Sequence, residues 1–335
     1  MTTIENTSIP PYKETFSLRK FVRAYGTQLG ILSVFLGLWI IFILAAPDTF
    51  TKPQIYYAFM STIPFFAIMA MPLTILVIAG EMDLSFPSIM AIGMVVFLLT
   101  YFEFQSILLS FAAALLIGLF AGWLNGFIVV RFGIPSMVAT IGTQFFWRGA
   151  VLVLSQNKNG SLAYAMGTPL YNILVGKLFG VIPMQMVWLI VIAILSWVLL
   201  NRTRFGAHIY LIGDNAESAK LMGVNCGRVR ILAFVLVGLV AALAGVIASL
   251  HVKFFWPSLG DGYLLRTLAS VFLGGTSVFG GVGTIFGTFI GAFIIGAIEA
   301  ATVAVGLTGF YTQLIYGLII LISVIMHSYL RRRME

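Results

Sequence analysis

Long apolar stretches recur along nearly the whole chain, separated by short polar connections. A helix needs roughly 20 apolar residues to cross the hydrocarbon core of a bilayer. The pattern therefore predicts an all-α polytopic membrane protein with about ten transmembrane helices. For the third and the eighth stretch, a short or re-entrant helix is the alternative. The predicted spans are 28–46, 56–79, 87–101, 107–131, 136–155, 181–200, 231–250, 263–280, 284–305 and 310–329.

The composition excludes a soluble protein and favours a single domain. Of the 335 residues, 60% are hydrophobic and 9% are charged, whereas a soluble domain carries roughly 25% charged residues. We expect one transmembrane domain over 28–330, an N-terminal segment, 1–27, and a short basic tail, 331–335. Basic residues precede the first span and no small-residue cleavage site follows it, so we expect this span to be retained as an anchor.

The basic residues predict the orientation of the spans, because Lys and Arg in short loops stay preferentially on the cytoplasmic side. With a cytoplasmic N-terminus, thirteen of the 19 basic residues lie inside, five lie outside or in the outer leaflet, and Arg148 lies in a span. Both termini are therefore predicted to be cytoplasmic. The inside set is Lys13, Arg19, Lys20, Arg23, Arg131, Arg202, Arg204, Lys220, Arg228, Arg230, Arg331, Arg332 and Arg333, and the outside set is Lys52, Lys158, Lys177, Lys253 and Arg266.

Several kinds of chemistry have no candidate residues in this sequence. The single cysteine and the three widely spaced histidines offer no metal-ligand spacing. No phosphate-binding loop of the Gly-x-x-x-x-Gly-Lys-Ser/Thr type is present, so we expect neither ATP nor another cofactor in this chain. The net charge of +8 is typical of cytoplasmic loops in a membrane protein and does not indicate a nucleic-acid partner. No triad or paired-histidine constellation indicates an enzyme.

The longest polar interruption is "NRTRFGAHIYLIGDNAESAKLMGV", Asn201 to Val224, in the predicted cytoplasmic connection 201–230. Asp214 or Asn215 is suited to cap a helix, and Gly223 is suited to the left-handed position that ends one. A short helix is therefore predicted from Asn215 to Met222. Its small residues, Ala216, Ser218 and Ala219, would let a partner approach, and Leu221 and Met222 would anchor it. A capped surface helix that only joins two spans is the alternative.

The stretch "GEMDLSFPSI", Gly80 to Ile89, places two carboxylates between two apolar segments. Ser85 is suited to cap the next helix, with Pro87 in its first turn. One interpretation is a short cytoplasmic turn in which Asp83 is a solvated cap residue. The other is that Glu81 and Asp83 line or gate the cytoplasmic end of a path, with Ser85 beside them.

A few polar residues lie inside predicted spans, where an ionisable group costs at least about 2.5 kcal/mol. Arg148 is expected to be structural, either at an interface or beside a carboxylate, and Glu299 is the better candidate for a path or a subunit interface. The uncharged residues are able to hydrogen-bond hydroxyl groups, or alternatively to link helices. These path candidates are Asn125, Thr140, Thr143 and Gln144.

Five motifs, in order, resemble the permease subunits of bacterial ABC importers of the ribose and xylose type. They are "TRFGAHIYLIGDNAESAKLMGV", "GEMDLS", "NGFIVVRFGIPSMVATIGT", the Arg-Gly pair at 148–149, and "VFLGGTSVFGGVGTIFGTFIGA". The resemblance covers most of the chain. Glu81-Met82 and Phe86-Pro87 depart from the usual residues of the family.

The resemblance implies a multi-pass permease in the bacterial inner membrane that imports a monosaccharide or a similar small polyol. Its implied partners are ATPase subunits that bind ATP, a second permease subunit (the same or a different chain) and an extracytoplasmic binding protein. An ion-coupled secondary carrier and an ABC importer of a non-sugar solute are the alternatives. The residues implied to contact the ATPase are Gly213, Asn215, Ser218, Ala219, Leu221, Met222 and Gly223.

Overall fold

The computed structural model describes residues 18–307 and 309–332. Most of the predicted segment 1–27 and the end of the basic tail, 333–335, therefore lie outside the described residues. The described part is mostly helical, and its strands are two residues long. The helices are α1 Leu18–Ala45, α2 Pro47–Phe50, α3 Pro53–Thr62, α4 Pro64–Ile78, α5 Phe86–Phe104, α6 Ile107–Phe132, α7 Ser136–Ser155, α8 Pro169–Val175, α9 Met184–Arg202, α10 Arg204–Asp214, α11 Ala216–Leu221, α12 Cys226–Val252, α13 Tyr263–Leu273, α14 Ile285–Ala304 and α15 Phe310–Arg332.

Two small antiparallel ribbons complete the described fold. Strand β1 (Gly160–Ser161) pairs with β4 (Phe254–Phe255), and β2 (Lys177–Leu178) pairs with β3 (Ile182–Pro183). Both ribbons lie in the connections that follow α7 and α12, together with α8. They fold these connections over one end of the helices.

Seven helices of the described chain are long and apolar enough to cross a membrane, which agrees with a polytopic membrane protein. Two helices of the predicted second span, α3 and α4, pass the same test as a pair but are bent by 52°. The predicted eighth and tenth spans correspond to shorter apolar helices, Tyr263–Leu273 and Phe310–Met326. At 1.5 Å per residue α13 is only about 16 Å long, which agrees with the short alternative for the eighth span. The third span, in contrast, is a full helix of 19 residues.

The bend between α3 and α4 has a local cause. Pro64 is in the first turn of α4, and a proline has no N–H to continue the hydrogen bonds of the preceding helix. Pro72 lies inside α4 without ending it. The chain therefore enters the protein interior as two helical pieces.

Helix α4 is the centre of the fold, because every one of its residues is buried. Around it, α12 packs most extensively on α6, and also on α5 and α4. Gly126 of α6 shows why α6 and α12 lie so close, since a Cβ added there would be 2.8 Å from the Cα of Ile231. Small residues let helix backbones approach in this way.

Candidate functional site

Helices α10 and α11 form the polar connection between α9 and α12, and side chains cap both of them. Thr203 Oγ1 accepts a hydrogen bond from Gly206 N (3.3 Å), and Asn215 Oδ1 accepts one from Ser218 N (2.9 Å). Of the two predicted caps, Asn215 is therefore the one used, whereas Asp214 ends α10. Gly223 has φ +84°, as its predicted left-handed position requires. The predicted short helix is confirmed, with Ala216–Leu221 as its bounds.

The residues of α11 divide into an outward and an inward face. Leu221 is 89% exposed and Met222 is 61% exposed, and Asn215 and Ser218 are exposed with them. Ala219, in contrast, is fully buried. The expectation that Ala219 lets a partner approach is therefore wrong, because α11 lies against its own chain and turns this residue inward.

Gly213 lies at the point where α10 meets two other segments. A Cβ at this position would clash with the carbonyl oxygen of Ile78, which is the last residue of α4. The same oxygen accepts a hydrogen bond from Gly281 N (2.9 Å), and Tyr210 donates its hydroxyl hydrogen to Gly283 O (2.9 Å). Gly213 therefore packs inside the chain, where it joins α10 to the end of α4 and to the glycine-rich segment 274–284.

The connection 79–85 links the end of α4 to the start of α5 and is held by side chains of α7. Met82 N donates to Ser136 Oγ (3.0 Å), and Leu84 N donates to Thr140 Oγ1 (3.0 Å). A buried backbone N–H without a partner is costly. These two side chains therefore provide the hydrogen-bond acceptors that backbone carbonyl groups provide in a helix. Ser136 and Thr140 are four residues apart and share one face of α7.

Asp83 is the centre of a fully buried polar cluster in this connection. Its Oδ1 accepts hydrogen bonds from Ser85 N and Ser85 Oγ (2.7 Å each), and its Oδ2 accepts one from Asn125 Nδ2 (3.0 Å). Asn125 Nδ2 also donates to Ser85 Oγ (2.7 Å). Burial raises the pKa of the Asp83 carboxyl, while the hydrogen bonds from Ser85 and Asn125 lower it. The interpretation of Asp83 as a solvated cap residue is therefore wrong, and the hydroxyl of Ser85 serves Asp83 and does not cap α5.

Glu81 joins the same connection to α12. Its Oε1 lies 3.2 Å from Arg230 Nε, and the two side chains are 10% and 29% exposed, respectively. Arg230 Nε makes no hydrogen bond in the described part of the chain, so charge alone holds this pair. The connection 79–85 is thus bound to α6, α7 and α12, and its first residue follows the α4 end on which Gly213 packs.

Two further path candidates lie one turn along α7. Thr143 is buried and its Oγ1 donates to Thr140 O (3.3 Å), whereas Gln144 is half-buried. The neighbouring Arg148 binds the carbonyl oxygens of Pro257 (2.7 Å) and Leu259 (3.0 Å), and its Nη2 is 2.7 Å from Asp261 Oδ1. Arg148 therefore neutralises a carboxylate and holds the connection after β4, in agreement with the expected structural role.

Glu299 lies apart from this cluster, near the far end of α14 from Gly213. Its partner, which the sequence did not reveal, is Arg266 of α13, with Arg266 Nη2 2.8 Å from Glu299 Oε1. Both side chains line a cavity of about 530 Å³. The structure thus separates Glu299 from the buried set of Asp83, Ser85, Asn125 and Thr140. No group of three or more His, Cys, Asp or Glu suited to a metal ion occurs among the described residues.

The fold and the polar connection define a polytopic helical membrane protein with a capped polar segment between two of its long apolar helices. The family described as branched-chain amino acid transport system, permease component, matches residues 55–324. The chain belongs to this family: it is the permease component of an ABC importer, and ATP hydrolysis belongs to a separate subunit.

Curated relatives cover nearly the whole chain. One is the ribose import permease protein RbsC of Escherichia coli (strain K12), 31% identical over 92% of this chain and 96% of the relative. Another is the autoinducer 2 import system permease protein LsrC of Yersinia pseudotuberculosis serotype O:3 (strain YPIII), 30% identical over 92% of this chain and 85% of the relative. No solved structure matches the chain.

Proposed function

We propose that this chain imports a monosaccharide or a similar small polyol across the bacterial inner membrane, by alternating access between two permease subunits. One relative supports this substrate class, since it is named for ribose import. The observation that carries the mechanism is the direct contact of α10, at Gly213, with the end of α4. This contact lies between the exposed α11 and the buried connection 79–85.

The proposed topology has ten spans and cytoplasmic termini. It comprises the cytoplasmic segment 1–27, the permease domain 28–330 with its cytoplasmic connection 201–230, and the basic tail 331–335. The bent pair α3 and α4 would form one span, and the shorter α13 and α15 the eighth and the tenth. Because α10 and α11 are then cytoplasmic, the opposite end of the helices, with α8 and both ribbons, faces outward.

In this topology α11 receives the movement of the ATPase. Leu221, the last residue of α11, and Met222, which follows it, are large exposed apolar side chains at this end, and such anchors on a helix are suited to a groove on a partner. Asn215, Ser218 and Gly223 shape the helix and its ends, while Gly213 and Ala219 fix it to the permease. ATP stays on the partner, and no cofactor is assigned to this chain.

The connection 79–85 would transmit that movement into the spans. Because α10 packs on the end of α4, a displacement of α10 reaches the neighbouring connection at once. There Asp83, Ser85, Asn125 and Thr140 position the backbone, with Thr143 behind them. Gln144 and Glu299 are accessible enough to contact a solute directly. A binding protein would deliver that solute at the outer end.

An ion-coupled carrier is disfavoured by the partners of its candidate carboxylates. Such carriers place ion-binding groups near the middle of the membrane, whereas Glu81 and Glu299 are each paired with an arginine. Asp83 lies in the connection between α4 and α5, where Ser85 and Asn125 already donate hydrogen bonds to its carboxylate. An ABC importer of a non-sugar solute remains the second candidate, because one relative is named for autoinducer 2 import and the family description names branched-chain amino acids.

Reconstitution with the partner ATPase and binding protein tests the proposal. Radiolabelled ribose and xylose uptake into liposomes should require ATP hydrolysis, and Leu221→Asp should abolish both uptake and ATPase binding. Phe179→Asp is the matched control for ATPase binding, because Phe179 is 88% exposed in the turn between β2 and β3, and this variant should bind the ATPase normally. Uptake driven by an ion gradient without the ATPase would contradict the mechanism, and uptake of leucine but neither sugar would contradict the substrate.

A further inference from the structure

The cavity beside Glu299 is lined by other residues than those of α10, α11 and the connection 79–85, which are proposed to transmit the movement of the ATPase. It lies between α3, α13 and α14, and has a volume of about 530 Å³. Sites for small ligands are clefts of roughly 300–1,000 Å³ that are mostly apolar and contain a few placed polar groups. Size and position therefore make this cavity a candidate site within a single permease chain.

The charged groups that line the cavity are the two partners of one ion pair, Arg266 and Glu299. A single contact of 2.8 Å joins Arg266 Nη2 to Glu299 Oε1, and the side chains are 29% and 38% exposed, respectively. Each partner thus keeps an accessible part. The guanidinium carbon of Arg266 also lies 6.0 Å from the ring centre of Tyr263, within the distance at which a cation and an aromatic ring attract each other. Arg266 is therefore held between a ring and a carboxylate.

Aromatic side chains form another part of the wall. Tyr263 lines the cavity together with Phe59 and Phe65, and both phenylalanines are buried in the protein, with less than a tenth of their surface exposed. These fixed apolar surfaces lie beside the accessible part of the ion pair. The remaining wall is made mainly of small or aliphatic residues, including Ala300 and Val303.

The charges favour a neutral ligand with several hydroxyl groups. A carboxylate accepts hydrogen bonds, a guanidinium donates them, and a hydroxyl group does both. An anionic ligand would require a net positive site, whereas the two charges here cancel. An acyl chain would leave both charged groups without new partners on burial, which is costly.

We infer that this cavity is an outward-side binding site for the transported polyhydroxylated solute, in which Glu299 and Arg266 bind hydroxyl groups and Tyr263, Phe59 and Phe65 contact the C–H faces. The inference rests on the proposed function, and it adds Arg266 and the aromatic residues to the earlier path candidate Glu299. Each permease chain would carry a complete site, lined by its own helices only.

Saturation-transfer difference NMR on the full chain in nanodiscs detects such binding directly. The probes are D-ribose, D-xylose and D-glucose. Two variants change the site by different means: Glu299→Gln removes the charge of an acceptor, and Ala300→Trp fills the cavity. Asp261→Asn is the matched control, because it breaks the Arg148–Asp261 ion pair at a carboxylate that does not line the cavity. Size-exclusion profiles and Tm values verify that each variant is folded.

At least one sugar should bind to the unmodified chain and to Asp261→Asn, and at least tenfold more weakly to both site variants. Equal affinity in all four proteins would overturn the site. Absence of sugar binding, together with a phospholipid that native mass spectrometry finds on the unmodified chain and not on Ala300→Trp, would assign the cavity to lipid.

Uptake measured in parallel distinguishes a failure of the inferred site from a failure of the proposed function. If the unmodified chain imports a sugar with its partners and both site variants import it with unchanged KM, the proposed function stands and the site is overturned. If the unmodified chain imports none of the three sugars, the proposed substrate class itself is wrong. A tenfold rise in KM in both variants, with normal ATPase binding, supports both.

Discussion

The two ends of this permease use the same kinds of residue in different ways. At the α10–α11 end, Gly213 brings one backbone against another and the Glu81–Arg230 pair is mostly enclosed. At the opposite end, the Arg266–Glu299 pair borders a cavity and is more exposed. Close backbone contact, as at Gly213, is suited to transmit a displacement, because packed interiors have low compressibility. A cavity, as beside Glu299, has room for a ligand. The difference suggests a division between a transmitting end and a binding end.

The largest effect is expected from Gly213→Ala, which directly breaks the transmitting end. The added Cβ would clash with Ile78 O, and backbone atoms have no alternative rotamer. Overpacking of this kind costs about 3 kcal/mol, and we expect both Tm and sugar uptake to fall. Gly37→Ala is the control, because no atom lies within 4 Å of a Cβ built there. Equal Tm values in the two variants would show that the contact is not tight.

A comparison of the two ion pairs should give the next largest effect. Glu81→Gln leaves Arg230 beside a largely enclosed neutral group, and we expect a loss of about 2 kcal/mol. Glu299→Gln acts on a more exposed pair and should cost about 1 kcal/mol or less. Thermal unfolding of both variants in the same nanodiscs measures the difference. A greater loss of stability for Glu299→Gln would contradict the prediction that the more enclosed pair, Glu81–Arg230, contributes more.

Thr140→Val tests the hydrogen bond that holds the connection 79–85. Removal of Oγ1 leaves Leu84 N without its described partner, and an unsatisfied buried group costs about 1–3 kcal/mol. Thr302→Val is the control, since Thr302 Oγ1 bonds only to Ile298 O within its own helix in the described chain. The Tm of Thr140→Val should therefore be the lower of the two, and hydrogen exchange should increase at Leu84.

The smallest expected effect is the pH dependence that Asp83 contributes. Burial raises the pKa of its carboxyl above the ordinary value of 3.8, so the folded protein binds this proton more tightly than the unfolded chain. Its contribution to stability is complete below pH 3.8 and is lost as the pH rises through the folded-state pKa. Relative to Asp83→Asn, the unmodified chain should thus lose stability across this window. A difference in Tm that does not change with pH would contradict the raised pKa.

The sequence predicted features that depend on neighbouring residues. The lengths of the apolar stretches predicted most of the spans, and local capping rules predicted the roles of Asn215 and Gly223. Contacts between distant segments were not predictable in this way: Asp83 meets Asn125, 42 residues away, and Arg266 meets Glu299, 33 residues away. Hydropathy marks a residue as being in a span, but it does not show which helix its side chain faces. Ala219 was wrongly assigned for the same reason.

One part of the site could have been found earlier. Ser136 and Thr140 are four residues apart on one helix and lie within a motif that the family resemblance marks, so their shared face was predictable. That they would support the backbone of 79–85 was not, because a polar face on a helix is equally suited to water, to another helix or to a solute. The tertiary fold decides among these.

The exposed apolar tip of α11 also has a consequence for how the protein is made. Leu221 is 89% exposed and Met222 is 61% exposed. If α11 is cytoplasmic and binds the ATPase, as proposed, a newly synthesised chain would expose these two apolar side chains to the cytosol until the ATPase binds. Cellular proteases and chaperones recognise exposed apolar segments of this kind, so unassembled copies should be short-lived. Balanced synthesis of the two subunits would then control how much importer a cell retains.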